Sequence, residues 1–120
     1  MKKFDLDERL IDFSVMIITI VNDLPKTKAG NHLSGQLIRC GTSPALNYAE
    51  AQSGESRKDF IHKMKISLKE LRETYTCLRI IERAKLFNNS CVLNTAKAEN
   101  NELISIFVKS VETAQKRIKT

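Results

Sequence analysis

Apolar residues recur every three or four positions along most of the chain. Leu10, Phe13, Ile17, Ile20 and Leu24 make one such series, and Ile61, Met64, Leu68, Leu71, Tyr75 and Leu78 make another. A third runs through Leu93, Ala96, Leu103 and Ile104, Phe107, Val111, Ala114 and Ile118. That alternation of threes and fours is the period of a helix that buries one face. Leu33 and Leu37 begin a further helical stretch, interrupted by Gly41 and Pro44, where a kink is expected. Asn22-Asp23-Leu24-Pro25, Ser53-Gly54-Glu55-Ser56 and Asn88-Asn89-Ser90 punctuate the series. Ser56, three residues before Asp59, has the type and place of an N-cap. The pattern therefore predicts helices over 5–24, 27–52, 57–86 and 91–118 in one domain spanning 1–120. Short connections make consecutive helices antiparallel neighbours, so the expected fold is all-α, an antiparallel up-down-up-down four-helix bundle.

Two helices carry more than one seam. In the first, Ile11, Val15 and Ile18 form a second apolar arc. A central place in the bundle would use it, and so would burial against a neighbouring subunit. In the third, Ile66, Cys77, Ile80 and Ile81 form a looser apolar set near Glu70 and Glu73. On another arc of the same helix stand Lys58, Lys65, Lys69, Arg72, Arg79 and Arg83, spaced by 7, 4, 3, 7 and 4. Asp59, Glu70 and Glu73 lie roughly opposite. A run of like charge on a helix is often only a solvated face. Segregation of sign on one long helix also suits phosphate contacts.

Charge sharpens that choice. The net charge is +6, and residues 56–90 alone hold nine basic and four acidic groups. A basic domain with a clustered stripe points to a polyanionic partner, nucleic acid before membrane. Aromatic residues are only 6% and Trp is absent, which argues against a broad base-stacking platform. The longest apolar run, Val15 to Val21, is too short to span a bilayer, and MKKFDLDERL has no signal-peptide core. Cys40, Cys77 and Cys91 show no metal-ligand spacing and read as reduced thiols of a cytoplasmic protein. His32 and His62 stand apart from any carboxylate or thiol motif, and no Gly-rich phosphate loop, HExxH or nucleophile elbow occurs. No catalytic residue, metal or cofactor is assigned, and the chain reads as a non-enzyme.

Arg39, Ser43, Asn47 and Glu50 line one arc of the second helix, and Glu73 lies on the third. Arg with two carboxylates could perform acid–base work. The same set also reads as a partly buried polar network fixing helix register or a subunit contact. These residues carry a family pattern: Arg39, then Ser43-x-x-x-Asn47-x-x-Glu50, a polar loop, Lys58-Asp59-Phe60 and Leu71-Arg72-Glu73. Over about 50 central residues the chain resembles the bacterial four-helix-bundle proteins encoded in intervening sequences of 23S ribosomal RNA genes. It departs from them at Ala51, where the family usually has Gly. The outer helices are similar in length and character rather than in motif. The resemblance implies a bundle assembling into a ring-like homopentamer. It also implies kinship with the accessory variability protein of diversity-generating retroelements, a basic pentamer that works with a reverse transcriptase and nucleic acid.

The resulting expectation is an oligomeric accessory protein that binds RNA or DNA through Lys58, Lys65, Lys69, Arg72, Arg79 and Arg83. The alternative is a scaffold whose stripe docks an acidic protein, such as a polymerase or a ribosome-associated partner.

Overall fold

The structure, a computed structural model, describes residues 5–54 and 56–119. The start of MKKFDLDERL, Glu55 of the second connection and the side chain of Lys119 lie outside what it describes. Four helices follow one another: α1 (Leu6–Asn22), α2 (Lys28–Gln52), α3 (Arg57–Arg83) and α4 (Ser90–Lys119). Each packs against its chain neighbour, and α1 closes the ring against α4, whereas the diagonal pairs meet only through core side chains. This is the antiparallel up-down-up-down bundle. It is elongated, 51 × 33 × 20 Å.

The helices start where short polar side chains can satisfy the first free amides. The side chains of Asp5, Thr27, Ser56 and Asn89 accept hydrogen bonds from the amides of Glu8, Gly30, Asp59 and Val92 at 3.1–3.2 Å. Two ends fall short of the sequence expectation. α1 stops at Asn22 rather than Leu24, with Asp23 as its C-cap. α3 stops at Arg83 rather than Leu86, because Lys85 turns left-handed at φ 57°. The Leu86 amide then donates to the Ile81 carbonyl and the Lys85 amide to that of Glu82, both at 3.1 Å, which satisfies the open end of the helix. α2 runs unbroken through the buried Pro44.

The core takes the expected seams. Leu10, Phe13, Ile17 and Ile20 of α1 meet Leu37 of α2, Met64, Leu71 and Leu78 of α3, and Leu93, Leu103 and Phe107 of α4. Tyr48 closes on Phe107 edge-to-face, with ring centroids 6.1 Å apart. Ile118 at 43% and Ile80 at 48%, both assigned to apolar seams, are instead exposed, as are Ile11, Val15 and Ile18 of the second α1 arc. Ile118 lies on the last turn of α4, and Ile80 lies on the outward side of α3.

Two glycines set the approach of α1 to α2. A Cβ on Gly30 would lie 1.9 Å from the Pro25 carbonyl oxygen, so the turn into α2 closes only over a hydrogen. A Cβ on Gly41 would lie 2.7 Å from Cγ2 of Ile17, so α1 rests directly on the α2 backbone.

Candidate functional site

The six cations Lys58, Lys65, Lys69, Arg72, Arg79 and Arg83 are all exposed. Met64, Leu71 and Leu78 are buried on a different arc of α3, which leaves the stripe toward solvent. From Lys58 to Arg83 it extends about 38 Å at the helical rise. Among the described residues none of the six makes an ion pair or a side-chain hydrogen bond. Three of the four acids of α3 are engaged elsewhere, and the exposed Asp59 makes no ion pair among the described residues. Glu70 and Glu73 pair with Arg39 of α2, and Glu82 pairs with Lys97 of α4 at 2.6 Å. The stripe is therefore an uncompensated line of charge on the outer α3–α4 side.

Cations elsewhere in the bundle are tied down. Arg9 grips Glu99 at 2.6 Å and Glu102 at 2.5 Å, joining the first turn of α1 to the first half of α4. Hydrogen bonds to Glu99 and then Glu102 push the Arg9 pKa upward against the opposing cost of burial. Lys63 pairs with Glu50 at 2.5 Å. These pairs select helix neighbours, although half-exposed pairs each contribute only about 0–1 kcal/mol.

The polar set of the family pattern separates into three. Arg39 bonds Glu70 at 2.9 Å, Gln36 at 3.0 Å, and Glu73. Burial works against the Arg39 charge, yet the Glu73 and Glu70 carboxylates outweigh it and its pKa rises. Asn47 donates to the Ser43 hydroxyl at 2.8 Å and to the Ser43 carbonyl at 3.1 Å, staying within α2. Glu50 turns away to Lys63. The side chain of Arg39 is half exposed, so this cluster lies at the surface of the α2–α3 seam.

Two clefts flank the first turns of α3. One, of about 630 Å³, lies between that end and the last third of α4, with Arg57, Lys109 and Arg117 on its walls. The other, of about 430 Å³, holds Lys58 and Lys65 of the stripe with His62, Gln115 and Ile118. Arg57, Lys109 and Arg117 were not among the sequence-assigned residues. The basic end of α4 reads most simply as a complement to the helix dipole, and only the packing brings it to Arg57. Further along the stripe, Thr76, Arg79, Ile80 and Arg83 border a small groove of about 180 Å³. Among the described residues no three His, Cys, Asp or Glu side chains converge as a metal site.

α1 and α2 also expose apolar side chains. Ile11, Val15 and Ile18 of α1 are 38–56% exposed, and Ile38 and Leu46 of α2 are 37% and 65% exposed. Ile17 resting on Gly41 brings the two helices that carry these side chains close together. Cys40 and Cys77 are buried and Cys91 is exposed, all as free thiols. Burial pushes the Cys77 thiol up to about 11. No helix among the described residues is long and apolar enough to cross a membrane.

A family model described as 23S rRNA-intervening sequence protein matches residues 2–109. The crystal structure of a protein of unknown function from the S23 ribosomal protein family of Bacteroides thetaiotaomicron is similar at a TM-score of 0.82. The two chains are 26% identical, over 89% of this chain and 98% of that one. No curated protein matches the chain.

Proposed function

We propose, for a chain that belongs to the 23S rRNA-intervening sequence protein family, a non-enzymatic role: oligomeric binding of RNA or DNA along the α3 stripe. The observation that carries this reading is the stripe itself, six exposed cations without a carboxylate partner among the described residues. Leaving them unpaired maintains a repulsive field within the molecule, and a polyanion relieves it. A track of about 38 Å, taken from the helical rise, matches roughly eleven backbone steps of one DNA strand at about 3.4 Å each. The family's description, tied to 23S rRNA, favours RNA as the first ligand to test. The single-helix geometry offers phosphate contacts rather than base reading, so sequence preference is weak.

The exposed apolar side chains of α1 and α2 support self-association, with a second copy covering Ile11, Val15, Ile18, Ile38 and Leu46. A homopentameric ring, the assembly implied by the resemblance, would repeat the stripe and add weak contacts by multivalency. The three free thiols suit a reducing compartment, and we place the chain in the cytoplasm.

Anisotropy titration of labelled RNA and DNA at two salt concentrations tests the proposal. Six phosphate contacts to a single strand give a log–log salt slope of about −4, so fourfold more salt weakens binding on the order of a hundredfold or more. The triple variant Lys65→Glu, Lys69→Glu, Arg72→Glu should flatten that slope by about 2. Binding that the triple variant leaves unchanged refutes the assignment. Binding only to an acidic protein, resistant to nuclease, would turn the stripe into a protein-docking face.

A further inference from the structure

We propose that the groove bordered by Thr76, Arg79, Ile80 and Arg83 takes one unpaired nucleobase, so that the polynucleotide held along the α3 stripe is a single strand. The inference rests on the nucleic-acid reading above and names the class of strand.

The stripe is not uniform along its length. Its first three cations, Lys58, Lys65 and Lys69, are lysines, and its last three, Arg72, Arg79 and Arg83, are arginines. Both side chains hold phosphate, but only one of them also stacks. An ammonium is a compact point charge, whereas a planar guanidinium lies flat on a ring and still offers its edge to a phosphate. The lysine half is thus equipped for backbone alone, and the arginine half for backbone and base.

The arginine half also carries an apolar side chain that the core does not take. Ile80 is 48% exposed, and among the described residues it is the only large apolar side chain of α3 that stands so open. At about 100° per residue it lies about 40° from Thr76, which sits mid-stripe in the gap between Arg72 and Arg79. Thr76, Arg79, Ile80 and Arg83 are helix neighbours at spacings of three and four, and they border one groove of about 180 Å³. A cavity of about 150 Å³ admits one benzene ring, so the groove has the size of a ring rather than of a whole nucleotide.

Charge at the groove is left for a ligand. Among the described residues no carboxylate borders it, and neither arginine makes an ion pair or a side-chain hydrogen bond. Glu82, the acid one turn from Arg79, pairs with Lys97 of α4 instead. A line of phosphates alone would leave Ile80 in water. A base lying on Ile80 and one guanidinium, with its phosphate on the other arginine, covers the apolar surface and meets the charge. A duplex cannot use the groove in this way, because its bases are stacked and paired. With aromatic residues at 6% of the chain, arginine and isoleucine supply the stacking surface.

Anisotropy titrations on the full chain use two labelled probes, an oligouridylate long enough to span the stripe and its duplex with oligoadenylate. Ile80→Ser removes the apolar surface and Ile80→Phe enlarges it, both without changing charge. Circular dichroism and light scattering should match the wild type in each. The strand should weaken about tenfold in Ile80→Ser and tighten severalfold in Ile80→Phe, and the duplex should respond to neither. Arg79→Lys with Arg83→Lys should weaken the strand about tenfold although the charge is kept. Strand binding that ignores both Ile80 variants, or strand and duplex affinities that change together, overturns the inference. So does an Ile80→Ser that shifts light scattering toward the monomer, since that puts Ile80 in a contact between copies. The two readings fail separately. If the stripe triple variant loses the strand and the Ile80 variants do not change it, the groove falls and the stripe stands. If neither probe binds the wild type, the stripe reading falls and takes the groove with it.

Discussion

The contact of Ile17 with Gly41 makes a sharp prediction, because a single methyl decides it. In Gly41→Ala the new Cβ would stand 2.7 Å from Cγ2 and 2.9 Å from Cγ1 of Ile17, both fully buried. Carbon atoms rest at about 3.5–4.0 Å, so about 1 Å of overlap must be relieved by moving α1 or forcing Ile17 off its rotamer. Such overpacking costs about 1–3 kcal/mol. Ala regains up to about 1 kcal/mol over Gly through helix propensity. The net loss expected is about 1–2 kcal/mol. Truncating the partner reverses the sign. Ile17→Ala alone costs about 2–5 kcal/mol as a cavity. In that background both clashing atoms are gone, and the nearest remaining one, Cβ of residue 17, is at 3.2 Å. Gly41→Ala should then be neutral or stabilising by up to about 1 kcal/mol, a coupling of about 2 kcal/mol. Urea unfolding followed by circular dichroism measures the cycle, at one protein concentration so that self-association contributes equally. A Gly41→Ala that stabilises the wild type, or costs the same in both backgrounds, refutes the account of how α1 seats on α2.

Lys85 occupies a left-handed position, φ 57°, that costs an L-residue about 1–2 kcal/mol and glycine little, so Lys85→Gly should raise the urea midpoint by about 1 kcal/mol equivalent. Asn100 is fully buried, donating to the Leu71 carbonyl at 3.0 Å while its own oxygen has no partner. Asn100→Leu removes an orphan acceptor worth about 1–3 kcal/mol against one bond worth about 1, so it should stabilise the fold, and a loss would contradict that balance. A thiol reagent should titrate one cysteine, Cys91, in the native protein and three in denaturant. The Cys77 thiol, raised by burial from 9.0 to about 11, should contribute stability that is intact below pH 9 and lost as pH climbs through 11; a midpoint rising over that window would contradict the sign. Val15→Lys with Ile18→Lys should shift light scattering toward the monomer without changing helicity.

The seams and the stripe were legible because they are periodic, and a bundle of four antiparallel helices leaves one arc of α3 for solvent whatever the details. Helix ends depended on chemistry the sequence hides. Nothing marks Lys85 as a stop, since the residue that ordinarily takes a left-handed cap is Gly. Charge alone could suggest that Arg39 meets Glu73, yet Glu50 finds Lys63 across the α2–α3 hairpin, a partner outside the family pattern. The cleft was invisible for a different reason. Arg57, Lys109 and Arg117 come to one cleft only through the packing of α3 against α4, and no local pattern reports how far one helix reaches along another.

The two functional faces do not compete, and the chain's charge shows why. Residues 1–55, which hold α1 and α2, carry six basic and seven acidic groups, whereas residues 56–120 carry fourteen and seven. The exposed apolar side chains of α1 and α2 thus belong to a nearly neutral half, and the stripe and cleft belong to a half with net charge +7. Copies meeting through α1 and α2 would keep their basic halves apart, at the outer edge of the assembly, where repulsion across a Debye length of about 8 Å is largely screened. Association through α3 and α4 would instead bring those charges together and hide the stripe. Charge placement therefore selects among possible contacts before any detail of fit, favouring an assembly held by apolar burial that presents its cations outward. In such an assembly the α3 face is free to engage a polyanion without dissolving the interface that arrays it.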